Sequence, residues 1–243
     1  DEAHQRAVMM HFLCNHELLA TELMALVLLK FPEAPTAFRL GVYETLREEQ
    51  AHTLMYLRRM RECGMEFGEL PVNDYFWRTI APMTTPMDFV ARLSLTFEQA
   101  NLDFSKHFAK VFRQVGDSST AAVLEKIYRD EINHVGHGLK WFRQWKDPEE
   151  SDWQAFSKIL SFPLHPSKAK GLAPFNAKGR AEAGLSADFI RNLKLSEQSR
   201  GRTPVLHWMN PLAESHALAA QGGHAHQASQ AEAALADDLN ALA

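Results

Sequence analysis

The chain has 243 residues, 46% of them hydrophobic and 23% charged, with a formal net charge of -4. That composition fits one globular core with an appendix, and it excludes a disordered chain or a general polyanion binder. Two cysteines, Cys14 and Cys63, are too few for a secreted disulfide framework. No apolar run is expected to span a bilayer and no leader is evident, so a cytoplasmic protein with no membrane partner is expected.

From about residue 3 to 31 the sequence is rich in Leu, Met, Ala and Glu, lacks Gly and Pro, and stops at Pro32, which predicts a long helix. Its apolar residues run nearly all round, so burial on more than one side is expected. After Pro35 a second helix is predicted over 36–63, closed by Gly64. The short link makes the two antiparallel neighbours. Glu48, Arg47, Arg58, Arg59 and Arg61 mark its solvated face.

Residues 64–85 mix Gly, Pro and large aromatics, too long for a tight turn and too apolar to be free of the core. A packed crossover is expected. Thr85, Pro86 and Asp88 then spell a capping box that starts a third helix running to about Val115, with Gly116 as its stop. A fourth helix begins at Ser118 or Ser119 and ends at Trp145, before Pro148. The order is therefore hairpin, long crossover, hairpin. That predicts an all-α fold with the topology of a ferritin-like four-helix bundle over 1–147.

An irregular C-terminal extension follows over 148–202, with a short helix around Trp153, Phe156 and Ile159. Between Lys158 and Arg202 nine Lys or Arg face three acidic residues. This basic stretch reads as solvated surface, and nucleic acid is not expected as a partner. Residues 203–243, rich in Ala, Gln and His, read as a linker or docking arm.

The chemistry rests on a repeated pattern. Glu49-x-x-His52 on the second helix and Glu131-x-x-His134 on the fourth each aim a carboxylate and an imidazole at one spot, since residues three apart share a helix face. A carboxylate-bridged dimetal site needs one more Glu from each remaining helix. Glu17 and Glu98 fit, and the Glu17–Glu49 and Glu98–Glu131 intervals differ by a single residue. Glu98 also sits among Leu93, Leu95, Phe97, Leu102 and Phe104, where an unpaired charge would cost several kcal/mol. Four glutamates balance two divalent ions. Oxygen and imidazole donors without thiolate suit iron first, with manganese or zinc as alternatives.

Around these six, His137 reads as an extra ligand or a partner that bonds a ligand. His16, pointing away from Glu17's face, and Asn101, one turn after Glu98, read as outer or structural partners. Tyr128 and Tyr56 could donate a hydrogen bond or an electron near the metals, although packing with a satisfied hydroxyl is the simpler reading of each. Cys14 reads as a small buried residue.

The runs HELLATEL, EEQAHTLMYLRRMRECGM, GELPVND, RDEINHVGHGLKWF and APFNAKGRAEAG resemble the bacterial ferritin-like family catalogued as domain of unknown function four-five-five, over roughly residues 3–190. The most specific block is D-E-x-x-H-V-x-x-G-L-x-W-F, here Asp130 to Phe142. The resemblance implies a ferritin-like fold and carries over Glu17, Glu49, His52, Glu98, Glu131 and His134 as ligands. The family pattern often places a histidine two positions before the first Glu, where this chain has Asn15 and, next to it, His16.

Together these readings predict a di-iron protein acting as an O2-dependent oxidase or oxygenase on a small organic substrate. A ferroxidase or iron-handling role is the alternative. A third is a metal-stabilised interaction module, with the arm after Thr203 docking on a partner or on a second copy as a homodimer.

Overall fold

The computed structural model describes residues 2–171 and 174–196. The expected arm at 203–243 and the end of the basic stretch lie outside the described residues. Among the described residues all regular structure is helical.

Helix α1 spans Glu2–Lys30 and ends before Pro32. Pro35 supplies the residue before α2, Thr36–Glu62, because its fixed φ suits a helix entrance. Beyond α2, Gly64 takes φ +83°, and the N–H of Met65 reaches back to the carbonyl of Met60 at 3.1 Å. This left-handed closure satisfies carbonyls the helix leaves open and turns the chain sharply.

The crossover is packed, as its aromatic content predicts. Its short helix α3, Tyr75–Ile80, sets Phe76 against Phe97 with ring centres 4.0 Å apart and against His16 at 4.7 Å. Asn15 donates to the carbonyl of Asn73, and the N–H of Gly68 donates to His11. His16, wedged between Phe12 and Phe76, is thereby a packing residue. Asn15, two positions before Glu17, ties the crossover to α1.

The third long rod opens on the expected capping box. The Thr85 side chain accepts from Asp88 N–H while Asp88 caps the N–H of Thr85. Helix α4, Pro86–Phe89, runs without a break into a π-helical stretch, Val90–Glu98, and then into α5, Gln99–Gln114. The sequence reading treated this rod as uniformly α-helical. A π-helix is rare because each wide turn loses packing along the axis, and it tends to persist where it re-aims a functional residue. Here it ends on Glu98.

Helix α6, Ser118–Trp145, is capped by Asp117, whose carboxylate accepts from Thr120 N–H. It crosses close to the π-helical stretch, and Gly138 makes that possible. A Cβ there would lie 2.3 Å from the Cβ of Ser94.

Helices α1 and α2 form one hairpin, α5 and α6 the other, and α2 packs on α6. The buried apolar residues fall into two clusters. One holds Leu23, Val27, Phe38, Val42, Leu93, Val135 and Phe142; the other holds Met9, Phe12, Tyr56, Met60, Phe108, Phe112 and Ile127. On α1, α2 and α6, Glu17, Glu49, His52, Glu131 and His134 fall between the two sets, as a polar layer across the core.

Helix α1 corrects one expectation. By length and composition it is apolar enough to cross a membrane, yet more than half of its most apolar window is buried inside the protein. Its hydrophobicity serves a core helix that packs on several sides, as its nearly all-round apolar pattern suggests.

The extension returns to the bundle. Helix α7, Asp152–Ile159, is followed by a 3-10 turn, Pro166–Ala169, and by α8, Ala177–Glu182, and α9, Ala187–Leu195. The 3-10 turn and α8 lie against the third rod, and α8 also touches α6. The fastener is Arg180, which sequence reading placed on a solvated surface. It is fully buried. Its guanidinium grips Asp103 of α5 through both terminal nitrogens at 2.5 and 2.8 Å. It also donates to the Gln99 side chain and to the Ala169 and Asn176 carbonyls, and lies over the Phe175 ring. Asp103 in turn accepts from the N–H groups of Gly171 and Asn176.

Candidate metal centre

The one-turn spacing inside each Glu-x-x-His motif does what the sequence predicts: Glu49 and His52 descend from α2 and Glu131 and His134 from α6 into the same layer. Glu17 enters from α1 and Glu98 from the end of the π-helical stretch. Donor atoms of Glu17, Glu49, His52 and Glu131 all lie within 4.8 Å of one another, and those of Glu49, Glu98 and His134 do the same. All six predicted residues are therefore brought together in two groups, with Glu49 common to both. Each is at most 5% exposed.

Both imidazoles turn Nδ1 inward. His52 Nδ1 stands 3.5 Å from Glu17 and from Glu49, and His134 Nδ1 stands 3.0 Å from Glu49 and 3.7 Å from Glu131. Their outward nitrogens are held by carboxylates, His52 Nε2 by Asp130 at 2.9 Å and His134 Nε2 by Glu48 at 2.7 Å. Such an outer carboxylate fixes which ring nitrogen carries the proton and leaves the inner one free to donate a lone pair.

The two supports are reciprocal. Asp130 precedes Glu131 on α6 and holds the histidine of α2; Glu48 precedes Glu49 on α2 and holds the histidine of α6. Sequence reasoning missed both, and assigned Glu48 to the solvated face. Its side chain is in fact half exposed while its carboxylate still reaches His134. The signal was present in the text of the sequence, because each motif is preceded by an acidic residue, Glu48-Glu49-Gln50-Ala51-His52 and Asp130-Glu131-Ile132-Asn133-His134.

Asn101 donates to Glu131 at 2.8 Å, the outer role expected of it. His137 belongs to neither group. Its ring lies against Gly41, where a Cβ would sit 2.0 Å from it, and stacks on Phe38 at 6.1 Å. Tyr128 has its hydroxyl engaged by the Asn176 amide, on the side where the extension docks. Tyr56 is fully buried and its hydroxyl has no hydrogen-bond partner among the described residues, so the expected satisfied hydroxyl is not found. Cys14 is a buried thiol directed at the Thr53 carbonyl; burial, reinforced by Glu17, pushes it up to about 12.

The electrostatics follow from packing this many ionisable groups out of water. Burial, then the neighbouring Glu49 charge, drives the Glu17 carboxyl well above the usual range. Burial lifts Glu98 to about 8 and also raises Glu131. Burial opposes charge on Glu49 too, but the close approach of Glu17, His134 and His52 outweighs it and holds that carboxylate well below its ordinary value. Burial likewise disfavours charge on the histidines. The carboxylates around them prevail, so His52 rises to about 12 and His134 well above its usual value. Protons therefore neutralise the cluster when no cation does.

Hydrogen bonding does not satisfy it. Among the described residues, both oxygens of Glu49, both of Glu98, one of Glu131 and the inner nitrogens of His52 and His134 are buried without a hydrogen-bond partner. Buried polar atoms are seldom left so, because each costs the desolvation it never recovers. Seven such atoms, carboxylate oxygens and imidazole nitrogens facing one small volume, are the donor set that a pair of divalent cations takes once bound protons are displaced.

Residues 1–191 match the family described as "Protein of unknown function (DUF455)". The chain belongs to that family. No curated protein and no solved structure matches it. The match covers the helical hairpins, the six converging residues and the Arg180 fastener alike.

Proposed function

We propose that this chain is a ferritin-like four-helix protein with a di-iron carboxylate centre, acting as an O2-dependent oxidase or oxygenase on a small organic substrate. The observation that carries the reading is the convergence of unpartnered, buried lone pairs from four helical rods on one volume. Glu17, His52 and Glu131 would hold one ion, Glu98 and His134 the other, with Glu49 shared. Manganese and zinc suit the same donors less well as redox centres. When bound, reduced iron supplies O2 binding and the electrons that protein side chains lack.

The residues do the rest. Asp130 and Glu48 accept the outer N–H of each imidazole and so aim its inner nitrogen, which would give up its proton as a cation binds. Asn101 fixes one oxygen of Glu131, so that its other oxygen remains available. The two apolar clusters above and below exclude water, which strengthens every charge interaction inside. The packed crossover lies on α1 and the π-helical stretch, and the Arg180-fastened extension lies on the third rod and α6, an arrangement that favours chemistry on a held substrate over open iron traffic.

The test is anaerobic loading of the full chain with Fe²⁺, followed by metal analysis and O2 uptake. About two irons per chain are expected, with one round of O2 consumption that stalls for want of a co-substrate. Less than about one iron per two chains would overturn the metal reading. Continued oxidation of excess Fe²⁺ with mineral growth would assign the protein to iron handling instead.

A further inference from the structure

An aromatic array on α6 starts one turn from a candidate ligand and leads away from it. His134, His137, Trp141 and Trp145 succeed one another on one face of α6 at three- and four-residue steps. Ring centres are 6.4 Å apart from His137 to Trp141 and 5.2 Å from Trp141 to Trp145. Phe38 of α2 fills the side of the array, 5.6 and 5.0 Å from the two indoles. Trp141 is almost wholly buried, whereas Trp145, at the end of the helix, is only partly so. Seven residues of helix separate Trp141 from His134, an axial rise of about 10 Å.

We propose that Trp141 and Trp145 form an outward relay that drains oxidising equivalents from the dimetal centre when O2 reacts and no substrate is held. The inference rests on the di-iron reading above. In electron terms, the Trp141 indole gives one electron toward the oxidised centre. Trp145 gives one electron to Trp141 and restores it. A soluble one-electron reductant, such as a thiol or ascorbate, then gives one electron to Trp145 at the surface. Both indoles end unchanged, and the reductant is oxidised by one electron for each equivalent removed.

Three features suit this direction. The Trp141 indole N–H is buried without an acceptor among the described residues, so its oxidised form keeps its proton as a radical cation and is readily reduced by the next indole. Lys140 places its ammonium over that ring at 5.7 Å, and a nearby cation makes an oxidised indole less comfortable there than at the next site. Trp145 is the member reachable from solvent.

The test uses two tryptophans off the array as internal standards. Trp77, on the crossover, is 37% exposed, and Trp153 packs on Phe156 and Phe189 in the extension. The full chain is loaded with Fe²⁺, exposed to O2 without reductant, and read by freeze-quench electron paramagnetic resonance with ring-deuterated tryptophan. Peptide mapping then locates oxygenated indoles, with a zinc-loaded control. The relay predicts a tryptophan-derived radical in the iron protein alone, with modification of Trp145 and Trp141 exceeding that of Trp77 and Trp153 several-fold. Trp141→Phe should abolish modification of Trp145. Trp145→Phe, a milder change at a partly exposed site, should strand it on Trp141. Iron oxidation with damage ordered by exposure, Trp77 first, or with Trp145 modified equally in Trp141→Phe, would overturn the relay and leave the metal reading standing. Failure of the reduced, iron-treated protein to consume O2 would overturn both.

Discussion

Two buried ionic clusters meet the third rod about one and a half turns apart, at Glu98 and Asp103, and they are finished in opposite ways. Around Asp103 every formal charge is met: Arg180 faces it with two nitrogens, two backbone N–H groups complete its lone pairs, and the remaining guanidinium hydrogens find carbonyls or Gln99. Around Glu49 and Glu98 the acids outnumber their partners, and lone pairs point at each other across a small volume. The first is what a core does with charge it uses for structure. The second is costly for the apoprotein, and makes sense where an outside cation completes it.

The sharpest way to break that contrast is Arg180→Met. Asp103 would keep its two backbone donors but lose its countercharge, and breaking a buried pair from one side costs about 3–5 kcal/mol. Chemical denaturation should show a loss of that size whether or not metal is present. Asp103→Leu would not rescue it, because the Gly171 and Asn176 N–H groups would then be orphaned. A double variant as stable as the parent would show that the fastener is dispensable.

Glu98 should behave in the opposite sense. Its carboxyl, raised to about 8 by burial, keeps a proton that the unfolded chain has lost. The stability this contributes to the metal-free protein is complete below the ordinary carboxylate range and is lost as pH rises through about 8. The slope is at most roughly 1.4 kcal/mol per pH unit. His52 and His134, also raised, extend the same trend upward. Melting temperature of the metal-free protein should therefore fall from about pH 5 toward about pH 8. Glu98→Gln should flatten that fall while removing metal uptake. Iron affinity should rise over the same window, since binding displaces protons. Parallel rather than opposed pH slopes for stability and affinity would contradict the account.

Asp130→Asn and Glu48→Gln come next. Each leaves a candidate ligand histidine with a weaker outer partner, and losses of about 10–100-fold in metal affinity are expected by competition titration. Asp130, the more buried of the two, should cost more than half-exposed Glu48. Equal affinity in all three proteins would reduce the reciprocal carboxylates to surface pairs.

The four rods and the six converging residues were legible because both depend on local periodicity: helix propensity, Pro and Gly punctuation, and a three-residue spacing repeated twice. What escaped depends on tertiary distance. Glu48 looked solvated because its helical position is, and only the neighbouring helix reveals what its carboxylate reaches. Arg180 counted as one more basic residue in a basic stretch until the extension folded back on Asp103, far away in sequence. The π-helical turns that end on Glu98 left no compositional mark, since Val90 to Phe97 hold no Gly or Pro and read as part of an ordinary helix. His137 satisfied the spacing rule yet turned to Phe38. A glycine at Gly41 opened room for its ring on that side.

The smallest expected effect, on Asn101, tests whether an outer hydrogen bond tunes the centre or merely fills space. Its amide donates to Glu131 Oε1, leaving Oε2 directed inward without a partner. Asn101→Ala frees Glu131 to rotate and removes one hydrogen bond, worth about 1 kcal/mol net, so iron affinity should fall about fivefold. Asn101→Asp removes the amide donor and adds a charge of the wrong sign beside Glu131. It should weaken binding further at neutral pH and recover toward the alanine value in acid, as the new carboxyl takes up a proton. If the two substitutions have the same affinity at every pH, Asn101 acts by filling volume, and the orientation of Glu131 is set by the helix alone.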